Sequence, residues 1–187
     1  MRSQGKYGIK HIAYLAMFAA LSIICAYIEI LIPFSFGIPG VKLGLSNLIS
    51  LLLLYIGRKD GINDRMERLS DAGIVLFIRI TVISLLFTNG YSLLYSLSGG
   101  ILSLLCMWFL SGCDKISVVG TSIIGGISHN LGQLIIAVLI VDQLRIIYYA
   151  PVLLLSGTLT GFLLGILSRL ILQRKGVLKT YDRFFER

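Results

Sequence analysis

Charge is what this chain has least of: 14% of its 187 residues are charged, against about one-quarter in soluble domains. With 56% of residues hydrophobic, that shortage excludes a soluble globule, because the apolar runs exceed what a core of this size can hide. Cysteine is nearly absent. Cys25, Cys106 and Cys113 are unpaired in spacing, and they read as small apolar packing residues rather than disulfide or metal ligands. The two histidines, His11 and His129, fall at different depths, so no bis-histidine haem site forms, and no Cys-x-x-Cys-His occurs. No G-x-x-x-x-G-K-[ST] is present to cradle ATP. One acid, Glu29, falls within a span, too few for the relay of intramembrane acids that proton-driven transport uses.

Aspartates are scarce and scattered. Asp60, Asp64 and Asp71 lie in one loop without the paired motif that holds Mg²⁺ on a diphosphate in prenyl-diphosphate synthesis. The chain therefore reads as neither a self-sufficient enzyme nor a self-powered pump, and no cofactor or metal is expected.

Long apolar stretches fenced by charges are what the sequence does have. One crossing needs about 20 apolar residues, and the fence posts predict six spans, at about 9–32, 41–57, 72–88, 92–111, 117–141 and 147–172. Only 15 uncharged residues separate Lys42 from Arg58, so the second span is short or partly sheltered by protein. The 34 uncharged residues between Arg79 and Asp114 are too many for one crossing, and the polar knot Thr88-Asn89-Gly90-Tyr91-Ser92 divides them. The first span follows a basic start but is too long for a signal h-region and lacks a small-x-small cleavage site, so it reads as retained. The expectation is one all-α, polytopic membrane domain over 1–187, ending in a basic tail over 173–187.

The net charge of +8 suggests nucleic acid in a soluble protein, but here it reports orientation. Fourteen of the 17 cations fall at the termini, in the 57–71 loop or beside Lys115. The positive-inside rule makes both termini and that loop cytoplasmic. The loop, with its mixed charges, reads as a solvated connector. Three cations remain: Lys42, Arg145 and the intramembrane Arg79.

Packing and polar residues supply the candidate sites. Gly157, Gly161 and Gly165 repeat at four-residue spacing on the sixth span, and Gly99-Gly100 and Gly125-Gly126 lie on the fourth and fifth; small residues of this kind let helices approach closely. Ala16 and Ala20, one turn apart, form a smooth strip that either packs inside the bundle or docks another membrane protein. Arg79 cannot shed its proton, so it is either clamped internally to carbonyls or Glu29, or it anchors a carboxylate or phosphate. His129, Asn130 and Gln133 share the middle of the fifth span, with Gly126 on the same face. They make either an interhelical network or a wet pocket. Ser46 and Asn47 add a polar point a turn inside the second span. The broken stretch from Pro33 to Lys42 reads either as a short external loop or as a cover over an outward cavity with Lys42 at its lip.

Several blocks resemble a known family: IPGVKLGLSNLISLLLLY (38–55), the arginine in FIRI (77–80), YSLSGGILSLLCM (95–107), GTSIIGGISHNLGQL (120–134) and YYAPVLLLSG (148–157). Together they are similar to the bacterial Gx transporter family, which also carries the label heptaprenyl diphosphate synthase component I. The resemblance covers about 9–172 and departs only at Ser46, where a small residue such as alanine is expected. It implies an S-component-like bundle of an energy-coupling-factor importer, with a first loop capping an outward pocket. It also implies that Ala16 and Ala20 face an energising transmembrane subunit that works with ATPases, and it suggests a role beside flavin or quinone redox systems.

Three functions follow. The leading one is a small-molecule-binding subunit in the bacterial plasma membrane, where Lys42, Arg79 and His129 meet an anionic or amphipathic ligand and Asn47, Asn130 and Gln133 hydrogen-bond to it. The second is a non-catalytic accessory of heptaprenyl diphosphate or quinone biosynthesis. The third is an adaptor in a redox assembly without a ligand of its own.

Overall fold

Within lipid a backbone must satisfy its own hydrogen bonds, so uncharged apolar runs of this length fold as helices. The computed structural model describes residues 8–31, 44–57, 61–87 and 90–174. Among the described residues there is no strand. Six α-helices follow in order: α1 (Ile9–Leu31), α2 (Leu45–Tyr55), α3 (Ile62–Phe87), α4 (Gly90–Ser111), α5 (Val118–Val141) and α6 (Ala150–Leu172), the last led in by a 3₁₀ turn at Leu144–Tyr149. All but α2 are long and apolar enough to cross a membrane. Five long helices and one short one suit a six-helix membrane bundle, and a chain with this many apolar helices is a multi-pass membrane protein.

Local chemistry sets several helix ends. Ser117 caps α5 by accepting the Gly120 N–H at 3.1 Å, one of the donors a helix start leaves unpaired. Asp142 closes α5 in the left-handed region at φ 51°, which Asp tolerates better than most residues. Pro151 sits in the first turn of α6, where its fixed φ suits the helix and its missing N–H is not needed.

α3 departs from expectation. It begins at Ile62, well before position 72, so most of the charged stretch expected as a solvated connector is helix. Charge pairing explains it. Arg68 bonds Asp64 one turn away, and His11 Nε2 meets Asp71 Oδ1 at 3.0 Å, tying the start of α1 to α3. Arg65 lies over the Trp108 ring, 5.1 Å from its centroid, donates to the Trp108 carbonyl at 3.1 Å and has its own carbonyl bonded by the indole N–H at 3.0 Å. Arg68 and Asp71 are both buried. Charges matched this closely leave water without the penalty of isolated ones.

Two kinds of packing hold the bundle. Around α2 the core is leucine-rich: every residue from Ser46 to Leu54 is buried, against Tyr14, Leu15 and Phe18 of α1 and Ala72 and Val75 of α3. On the other side α4, α5 and α6 meet through glycine. A Cβ on Gly157 would stand 2.7 Å from the Gly126 carbonyl, one on Gly161 2.7 Å from that of Ser122, and one on Gly132 2.7 Å from that of Ser98. No side chain fits there. The glycines expected to serve packing are consumed within this one chain, and hydroxyls lock the same seams: Ser98 donates to the Gly132 carbonyl at 2.6 Å and Ser103 to that of Gly125 at 2.8 Å.

Candidate functional site at the first turn of helix α2

Eleven residues at 1.5 Å each make α2 about 16 Å long, roughly half of a 30 Å hydrocarbon core. Its last residue is level with the start of α5, where Tyr55 Oη and Thr121 Oγ1 are 2.8 Å apart. Its first turn is therefore level with the middle of α5 and α6. Gly44 and Asn47 line one cleft with Gly126, His129, Asn130, Thr160 and Gly161, completed by Ser122, Gly125 and the apolar Met107 and Leu164. The cavity itself is about 20 Å³, and about 340 Å³ lies between its walls when the open space at its mouth is counted. A helix that stops at mid-membrane turns its positive end inward, toward whatever occupies that depth.

Gly44, immediately before α2, has φ 69°, a conformation that favours glycine. Its N–H donates to Glu29 Oε1 at 2.5 Å, which pins the outer part of α1 to the start of α2. Glu29 is thus engaged by backbone rather than by Arg79, although its charge acts on that guanidinium.

Arg79 reaches α2 from α3. Its Nη1 donates to Ser46 Oγ at 2.6 Å. The residue is 8% exposed, and its Nε and Nη2 are buried with no hydrogen-bond partner among the described residues. Neither of the expected internal clamps, a backbone carbonyl or Glu29, takes these two nitrogens.

The expected polar set divides. Asn47, His129 and Asn130 line the cleft together. Asn130 also spends its amide N–H groups on α6, donating to the Leu153 carbonyl at 2.6 Å and to Ser156 Oγ at 3.2 Å, so it is part network and part lining. Gln133 turns elsewhere: its Cγ lies 2.9 Å from where a Cβ on Gly99 would stand, against α4. Asn130 and Gln133 are about 60° apart around α5, and because α4 and α6 both pack on that helix, this rotation is enough to turn Asn130 toward α6 and Gln133 toward α4. Arg79 does not line the cleft; it approaches the same turn of α2 through Ser46. Lys42 and the segment from Pro33 lie outside the described residues, as do Thr88 and Asn89.

Ala16 and Ala20 are both exposed, on a face with Ile12, Met17, Leu21 and Ile24, while Tyr14, Leu15, Phe18 and Ala19 turn into the core. The alanine strip faces out of the bundle. Gly44, Thr160 and the bond from Glu29 were not legible as site features. The glycine-rich start of α2 was their one sequence signal.

Residues 18–171 match the family described as heptaprenyl diphosphate synthase component I. The chain belongs to that family. The match takes in part of α1 and nearly all of α6, so both the cleft and Arg79 lie within it. A component I implies a partner subunit. No curated protein and no solved structure matches the chain.

Proposed function

We propose that this protein is the substrate-binding membrane subunit of an energy-coupling-factor-like importer in the bacterial plasma membrane. It takes up a small anionic or amphipathic molecule and depends on a separate energising subunit and ATPases. One observation carries the reading: a polar cleft at mid-membrane depth, against the positive end of a half-length helix, with a buried arginine beside it. Transporters place binding sites at this depth and build them from interrupted helices. Asn47, His129 and Asn130 then contact the molecule, and the outward face at Ala16 and Ala20 receives the energising subunit.

Purification from native membranes tests the proposal. Copurifying ATPase and transmembrane coupling subunits, lost on Ala16→Trp and Ala20→Trp, are the expected result. A second reading draws on the family's description: a non-catalytic accessory of heptaprenyl diphosphate or quinone biosynthesis. It predicts a soluble prenyl-synthesising partner in the same preparation, and stimulation of that partner's chain elongation. Finding that partner without any ATPase overturns the importer.

A further inference from the structure

The two guanidinium nitrogens of Arg79 without a partner are not an arbitrary pair. Nε and Nη2 lie on one edge of the planar group, and their N–H bonds run nearly parallel. That edge matches two oxygens of a carboxylate or a phosphate. Nη1 is the nitrogen held by Ser46, so the hydroxyl fixes the plane of the guanidinium and leaves its forked edge without a partner among the described residues. The edge is buried, and buried donors left unmatched are unfavourable. The edge stands at the first turn of α2, whose N-terminus adds a partial positive charge of about one-half.

Charge decides between kinds of anion. Among the described residues, this turn is approached by one fixed cation, Arg79, and by one acid, Glu29, whose carboxylate is bonded at Gly44. His129 adds a charge only when protonated. Arg79 and Glu29 offset each other, and with the helix end adding about one-half of a positive charge the turn accommodates one negative charge far better than several. A diphosphate brings several charges and usually its own Mg²⁺, and no group of three His, Cys, Asp or Glu converges among the described residues.

Resting on the importer reading above, we infer that the ligand is a monocarboxylate, its carboxylate gripped side-on by Nε and Nη2 of Arg79 over the first turn of α2 and its body lying toward the cleft beside Asn47 and His129. Ser46 is a positioning residue in this arrangement. It orients the fork without touching the ligand.

The test uses the purified full-length protein in nanodiscs, with benzoate, phenyl phosphate and isopentenyl diphosphate as probes of three acid classes. At about 10 mM a probe of millimolar affinity nearly fills its site, which raises the melting temperature by roughly 3 °C. Benzoate is expected to produce this shift and the other two are not. Arg79→Lys keeps the charge but loses the fork, and is expected to weaken benzoate at least tenfold. Ser46→Ala is expected to weaken it about three- to tenfold. If Arg79→Lys does not fold, the comparison of probes on the wild-type protein and the Ser46→Ala arm still decide. A shift with isopentenyl diphosphate or phenyl phosphate but not benzoate overturns the carboxylate fork while leaving a small-molecule site in place. So does a benzoate shift unchanged in the variants. No shift with any probe, together with no retained small molecule in native mass spectra, overturns both the fork and the binding-subunit reading.

Discussion

Arg79 Nη1 and Ser46 Oγ, 33 positions apart in the chain, meet at 2.6 Å inside the bundle. The bond joins the mid-membrane arginine of α3 to the first turn of the short helix it approaches. Removing it by Ser46→Ala leaves one more buried donor unmatched, which is worth about 1–3 kcal/mol. Thermal unfolding of the purified protein is expected to show that loss. A variant as stable as the wild type would mean that Arg79 finds another partner.

Glu29 opposes an anionic ligand. Glu29→Gln keeps an oxygen for the Gly44 N–H but removes the negative charge. Affinity for benzoate is expected to rise about three- to tenfold, as electrostatics at a few ångströms and intermediate screening allow. Isothermal titration checks this, and an unchanged affinity would place the anion away from Glu29.

The glycine seam gives a sharper stability contrast. A Cβ at Gly157 meets the Gly126 carbonyl at 2.7 Å and Asn130 Nδ2 at 2.9 Å, so Gly157→Ala is expected to destabilise by about 1–3 kcal/mol and to disturb the cleft lining through Asn130. Gly90→Ala, where nothing lies within 4 Å, is expected to stay within about 0.5 kcal/mol of wild type. Equal effects in chemical denaturation would remove the close-approach argument.

Trp108 is the only tryptophan in the chain and reports on the clamp between α3 and α4. Arg65→Ala removes the cation over its ring and the bond to its carbonyl. Its emission is expected to shift to longer wavelength, with faster quenching by acrylamide and a stability loss of about 1–2 kcal/mol. Unaltered emission would show that Arg65 does not cover the indole in solution.

Ala16 and Ala20 separate folding from assembly. Both are exposed, so Ala16→Trp and Ala20→Trp are expected to leave unfolding within about 0.5 kcal/mol of wild type while removing any partner that docks there. Loss of the fold instead would mean that the strip is structural.

The sequence made the helices legible because apolar runs and charge fences speak directly of bilayer thickness. It also made the glycine seams legible, since small residues at four-residue spacing have few other uses. It misjudged residues 62–71, where charges that pair along and between helices look the same in one dimension as charges facing water. Asp71 is an example: nothing nearby announces that it meets His11, sixty positions away. Gln133 was misplaced for a related reason, because a shared helix face does not say which neighbour that face meets. Arg79 was found by its depth alone. Its partner Ser46 was noted as a polar point and as the departure from the family pattern, but their bond depends on the register of α2 against α3, which only packing sets.

The burial of α2 on every side bears on how the protein is made. A segment of 11 helical residues is too short to be retained by lipid as a lone crossing, and its unpaired ends could not be left in hydrocarbon. It reaches its place only when α1 and α3 are there to receive it. α2 is therefore expected to settle only after α3 has emerged, and a chain truncated before α3 is expected to leave α2 outside the bilayer, where protein quality control would meet it first.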